Sequence, residues 1–121
     1  MQELKYIIPE IPPSNNKFIG RNMRWDYQDA KKAWADKIFF LCRPRPAEPI
    51  KKAVVSITYY FKDSRRRDPD NYSGKFILDG LVRAGILQDD SFENVALQLS
   101  GKHDKSKPRT EICIKELQKN V

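Results

Sequence analysis

The chain has one histidine, two cysteines, five glycines and no long apolar run in its 121 residues. Each scarcity excludes something. Cys42 and Cys113 lie far apart without a C-x-x-C spacing, and with His103 alone they make no zinc pattern. Each falls in an apolar run and reads as a small buried hydrophobe. No stretch approaches the roughly 20 apolar residues of a membrane span. The opening MQELKYIIPEIPPSNN carries acids early, and its apolar run is too short for a secretory signal. The expectation is a cytoplasmic protein with no membrane partner. Repeats and low-complexity tracts are also missing, so the length fits one domain spanning 1–121.

What is abundant is positive charge. Lys and Arg number 23 against 16 Asp and Glu, for a net charge of +7 and a sequence pI of about 9.5. The apolar fraction of 40% leaves enough material for a core without staples. A small basic domain points to a nucleic acid or another polyanion, and ordinary solubilising charge accounts for it as well.

KYIIPEI reads as a first strand ended by Pro12-Pro13, and PPSNNKFIGRNMR as a loop rich in turn formers and positive charge. From Tyr27 the period becomes helical, with Ala30, Trp34, Ile38 and Leu41 on one stripe until Pro44 and Pro46. AVVSITYYF alternates β-branched and aromatic residues and is the clearest strand. A second helix is expected from Asn71 or Tyr72 to Gly85, capped by Asp70, Asn71 or Ser73, with Gly74 and Gly80 inside it. Val95, Leu97 and Leu99 mark the next strand and EICIKEL the last. The expected architecture is mixed α+β, in the order β-α-β-α-β-β. Two helices pack on a small sheet whose last two strands form a hairpin, and the second helix offers a crossover to parallel pairing.

The densest chemistry lies in RRRDPDNYSGKFILDGLVRAGILQDD, Arg65 to Asp90. In extended geometry Asp68 and Asp70 point the same way, and Pro69 stiffens the segment between them. With Asp89 and Asp90 they form a set of hard oxygen donors suited to Mg²⁺, or Mn²⁺ in its place. The same residue types serve equally as a turn and helix cap. Arg65, Arg66 and Arg67 would bring a phosphate backbone to these acids, or stand as a solvated charge run. Lys75, one helical turn on, is a candidate partner for a phosphate oxygen; its surface alternative is a weak pair with Asp79. If the second helix runs away from Asp68, the returning chain or a second subunit must bring Asp90 to the other acids.

PPSNN, a strand running into RRRDPDN, the lysine-bearing LDGLVRAGI helix and the following DDS resemble, in the same order over most of the chain, the RusA family of Holliday junction resolvases. The resemblance implies a phage or bacterial homodimer that binds four-way DNA junctions and cuts two strands symmetrically with Mg²⁺. It implies Asp68, Asp70 and Asp90 as metal-binding acids, Lys75 as the essential lysine, and Asp89 as an adjacent contributor. Tyr72-Ser73-Gly74 makes the spacing to Lys75 one residue longer than the family pattern. Lys17, Arg21 and Arg24 in the first loop, and Lys102, Lys105, Lys107 and Arg109 in the last, are expected to contact DNA. Phe18, Trp25 and Tyr27 interleave with the first group and either stack on bases or belong to the core or a dimer interface. A non-catalytic basic nucleic-acid-binding module, and a metal-dependent nuclease for other branched DNA or RNA, are the competing functions.

Overall fold

In the computed structural model, which describes residues 2–20 and 23–117, the alternation of AVVSITYYF makes β2 (Ala53–Phe61) the central strand. Ala53, Val55, Ile57, Tyr59 and Phe61 are buried on its helix-facing side, while Val54, Ser56, Thr58 and Tyr60 stay half-buried on the other. Fully burying a side chain such as Ile57 contributes about 1.5–3 kcal/mol. β1 (Glu3–Ile8) and β4 (Arg109–Glu116) pair antiparallel, β4 pairs antiparallel with β2, and β2 pairs parallel with β3 (Val95–His103). The sheet order is β1-β4-β2-β3.

This is the mixed α+β fold expected, with one correction. The last two strands do not form a hairpin, because β2 lies between β3 and β4. The crossover from β2 to β3 through the second helix makes their pairing parallel, and β3 is left at the sheet edge. The first strand also ends earlier than expected, before Pro9.

α1 (Arg24–Leu41) begins three residues before the apolar period, and it buries Trp34, Ala35 and Ile38. Leu41 falls off the stripe and is exposed; Cys42 takes the buried position, and burial pushes its thiol up to about 12. Cys113, expected in the core, is only half-buried because it faces the open side of β4, with its Sγ 3.6 Å from Glu3 Oε1. Trp25 likewise stands 71% exposed, so it is not core, whereas Tyr27 is half-buried against Phe18 and Phe76.

α2 (Lys75–Arg83) buries Phe76, Ile77, Gly80 and Leu81. A Cβ on Gly80 would overlap Ile38 Cδ1 and lie 3.3 Å from Ile38 Cβ, so this glycine is the point of closest approach between the helices. Gly85 (φ +77°) ends the helix in the left-handed conformation, as expected.

Candidate functional site

The acids begin seven residues after β2, not at its end. Asp63 collects this connecting loop: Arg67 Nη1 donates to its Oδ1 at 2.8 Å, and the Arg65 backbone N–H donates to the same oxygen at 3.0 Å. These bonds, the Arg67 one foremost, hold the Asp63 carboxyl below its ordinary value of 3.8. Arg67 also lies over the Phe61 ring at 4.3 Å, so its guanidinium organises the loop. Arg66 Nε donates to Asp68 Oδ1 at 3.2 Å, and Arg65 pairs with Asp63 at 3.4 Å, both on the surface.

Asp68 is extended (φ −103°, ψ 143°), but Pro69–Tyr72 is a 3-10 turn. The strand alternation expected to align Asp68 with Asp70 is therefore absent. The turn is pinned from two sides. Tyr72 packs on Tyr59 and Phe61 at 5.8 and 5.0 Å between ring centroids. On the other side, Asn15 Nδ2 donates to the Asp70 carbonyl at 2.9 Å and to Ser73 Oγ at 3.2 Å. Sequence reasoning treated PPSNN as loop and missed Asn15. The signal was an amide in a run of turn formers, with no indication of which distant turn it would hold.

No side chain caps this turn or α2. The expected cap at Asp70, Asn71 or Ser73 does not form, because the α-helix starts only at Lys75. Its N-cap is Gly74, at φ +84°, over Ile57, Leu97 and Leu99. Gly74 is thus a left-handed hinge before the helix, not a residue inside it. The Asp70 carboxylate is exposed and makes no hydrogen bond to a described residue.

Lys75 is exposed at the start of α2, with its ammonium 5.1 Å from the centre of the Tyr27 ring. It does not pair with Asp79, which instead meets Lys31 at 3.7 Å and Arg83 at 3.1 Å.

Asp89 and Asp90 lie elsewhere. The Gln88 N–H donates to the Ile50 carbonyl, and Asn94 reaches Lys51 and Ala53, which fixes this loop at the start of β2. Asp68, by contrast, lines a cavity of about 60 Å³ with Tyr59, Phe61, Leu99 and Gly101 near the end of β2. Val95 pairs with Ala53 and Gly101 with Tyr59, so the two levels are six strand residues apart. That is roughly 20 Å at about 3.3 Å per residue. Among the described residues, no group of three or more His, Cys, Asp or Glu is gathered to hold a metal ion. One chain therefore places Asp68 and Asp70 on one turn and leaves Asp89 and Asp90 at the opposite end of the sheet.

Of the expected DNA-contacting residues, Lys17, Lys105 and Lys107 are exposed and form no ion pair with a described residue. Arg24 lies over Trp25 at 5.4 Å, and Lys102 over Tyr60 at 5.9 Å. Arg109 is engaged by Glu111 at 2.6 Å and Asp104 at 2.8 Å, and it stacks on Tyr60 at 3.8 Å. Its role is to brace the last loop. Arg21 lies outside the described residues. No helix among the described residues is long and apolar enough to cross a membrane.

No protein-family model matches this chain. No curated protein matches it either.

Proposed function

We propose that this protein is a structure-selective, Mg²⁺-dependent endonuclease that cuts four-way DNA junctions symmetrically as a homodimer. The observation that carries the reading is the surface turn from Asp68 to Asp70, with Asp68 half-buried and Asp70 exposed. Its carboxylates cap no helix, it is pinned by Asn15 and Tyr72, and it is flanked by Arg65 and Arg66. A turn held this firmly, with the Asp70 carboxylate unpaired among the described residues and Asp68 met only by the surface Arg66 at 3.2 Å, suits hard oxygen ligation, so Asp68 and Asp70 would hold the ion, with Mn²⁺ as a substitute. When bound, the metal supplies activation of the attacking water and stabilisation of the departing oxygen.

Arg65 and Arg66 draw the phosphate backbone toward the turn, and Lys75 offers an ammonium to a phosphate oxygen as charge develops there. The roughly 20 Å between the levels of Asp68 and Asp90 favours a site completed by a second copy, which contributes Asp90 and the neighbouring Asp89. The resemblance to RusA resolvases supplies the substrate class. A second reading, a non-catalytic basic nucleic-acid-binding module, is favoured by one observation: a single chain gathers no three-acid group among the described residues.

The test is cleavage of a labelled four-way junction beside a flap and a linear duplex, with Mg²⁺ and with EDTA. Paired symmetric nicks on the junction, lost in EDTA and in Asp70→Asn despite retained binding, support the proposal. Binding without cleavage in either Mg²⁺ or Mn²⁺ leaves the basic module. Coexpressed Asp70→Asn and Asp90→Asn chains then report how the site is built. If Asp90 acts across subunits, the heterodimer has one intact site and nicking returns; if within one chain, both sites are damaged and none returns.

A further inference from the structure

α1 and α2 run in the same direction: Tyr27 packs on Phe76 at 5.5 Å between ring centroids, Lys31 meets Asp79 at 3.7 Å, and Ile38 lies against Gly80. Their first turns therefore open side by side, onto a recess of about 480 Å³ lined by Asn15, Phe18, Arg24, Tyr27, Gln28 and Lys75 among others. Among the described residues no Asp or Glu lines it, and Asp26 in the first turn of α1 lies outside. Lys31, Lys37, Arg67, Arg83 and Arg109 each meet a carboxylate. Arg24 and Lys75 form no ion pair with a described residue; they lie over the Trp25 and Tyr27 rings, at 5.4 and 5.1 Å from the ring centres. A ring orients a cation without neutralising it. Tyr27 is itself held by packing on Phe18 and Phe76, since its buried hydroxyl has no hydrogen-bond partner among the described residues. Neither helix start is capped by a side chain, so the helix ends add partial positive charge to that of the two cations.

We propose that this recess is a phosphate-binding subsite for a nucleic-acid strand, in which Arg24 and Lys75 grip the phosphodiester next to the one at the acid turn. An anion is the ligand because two cations that no carboxylate neutralises converge on the recess with no acid opposite them. A strand fits better than a free ion on grounds of size and lining. The recess is far larger than a phosphate, and the Phe18 and Tyr27 rings wall it with apolar surface that a sugar covers and a bare ion leaves wet. Asn15 joins the recess to the acid turn, since it lines the one and donates to the Asp70 carbonyl of the other at 2.9 Å. A strand entering the turn therefore carries its next phosphate into the recess. Lys75 then stands between the two phosphates, and Arg24 holds only the neighbour. The place beside the cut rests on the nuclease reading above; the affinity of the recess for a nucleotide phosphate does not.

The experiment titrates the full chain with thymidine 3′,5′-bisphosphate, followed by amide NMR, in EDTA so that no metal at the acid turn contributes. Shifts should centre on Asn15, Arg24, Gln28 and Lys75. Arg24→Gln should raise the dissociation constant at least tenfold with an unchanged circular dichroism spectrum. Lys115→Gln, on the bare face of β4, should leave it as it is. Inorganic phosphate should bind at least tenfold more weakly than the bisphosphate. A second arm places one methylphosphonate at successive linkages around the mapped cut in a four-way junction. Neutralising one neighbouring linkage should raise KM about tenfold with kcat nearly unchanged, and Arg24→Gln should be indifferent to that replacement. Shifts centred elsewhere, wild-type affinity in Arg24→Gln, or equal affinity for inorganic phosphate overturns the subsite. Equal sensitivity of wild type and Arg24→Gln to every methylphosphonate overturns its place beside the cut. Bisphosphate binding by a chain that cuts no junction leaves the subsite standing and overturns the nuclease reading alone.

Discussion

Asp63 and Asn15 matter more to the candidate site than their places in the sequence suggest, since neither belongs to the acid motif that they support. Asp63 fixes Arg67, and Asn15 fixes the backbone of Asp70. Replacing Asn15 by Ala removes two hydrogen bonds at the surface, so a stability loss of about 1 kcal/mol is expected by urea unfolding. A larger fractional loss of junction cleavage should accompany it, because the turn loses its register. The Asp63 carboxyl, held low chiefly by Arg67, makes the loop sensitive to acid. Because its folded value is depressed, its contribution is present above the ordinary carboxylate range and is lost as pH falls through the folded value, below 3.8. An NMR titration should place the Asp63 midpoint below 3.8, and Arg67→Ala should move it up toward that value. A midpoint unchanged by the substitution would remove Arg67 as the cause.

At the scale of elements, the contact between α1 and α2 depends on a residue with no side chain. A Gly80→Ala substitution gains about 1 kcal/mol of helix propensity. It also forces Ile38 or the helix axis to shift, an overpacking cost of about 1–3 kcal/mol. A net destabilisation of up to about 2 kcal/mol is expected in urea; a stabilised variant would mean that Ile38 relaxes freely. The elements also show how far local pattern reaches. β2 was legible to the residue because both its faces obey one alternation. α2 was not, since PDNY carries helix-capping residue types yet folds as a 3-10 turn under Tyr72 packing, and the left-handed Gly74 resets the chain before Lys75. Val95, Leu97 and Leu99 share one face of β3 as the alternation requires, but at the sheet edge that face is only partly covered and Leu97 stays exposed.

For the whole molecule, charge is the dominant property, and its test is salt. A surface on which Lys17, Lys105, Lys107 and the Arg65–Arg66 pair neutralise six or more phosphates across two copies loses about 10³-fold in junction affinity between about 50 and about 200 mM salt. A flat salt response in a binding titration would return these residues to solubilising charge. Composition, the α+β class, the strand AVVSITYYF, the Gly85 helix end and the candidate acids follow from the sequence by itself, because each is set by local periodicity, backbone freedom or residue chemistry. Tertiary structure alone decided that β2 separates the last two strands, that Asn15 anchors the acid turn, and that Asp90 lies at the opposite end of the sheet from Asp68. Those facts depend on which way a crossover helix carries the chain along the sheet, a long-range choice made by burying apolar faces against each other and written in no short stretch of residues.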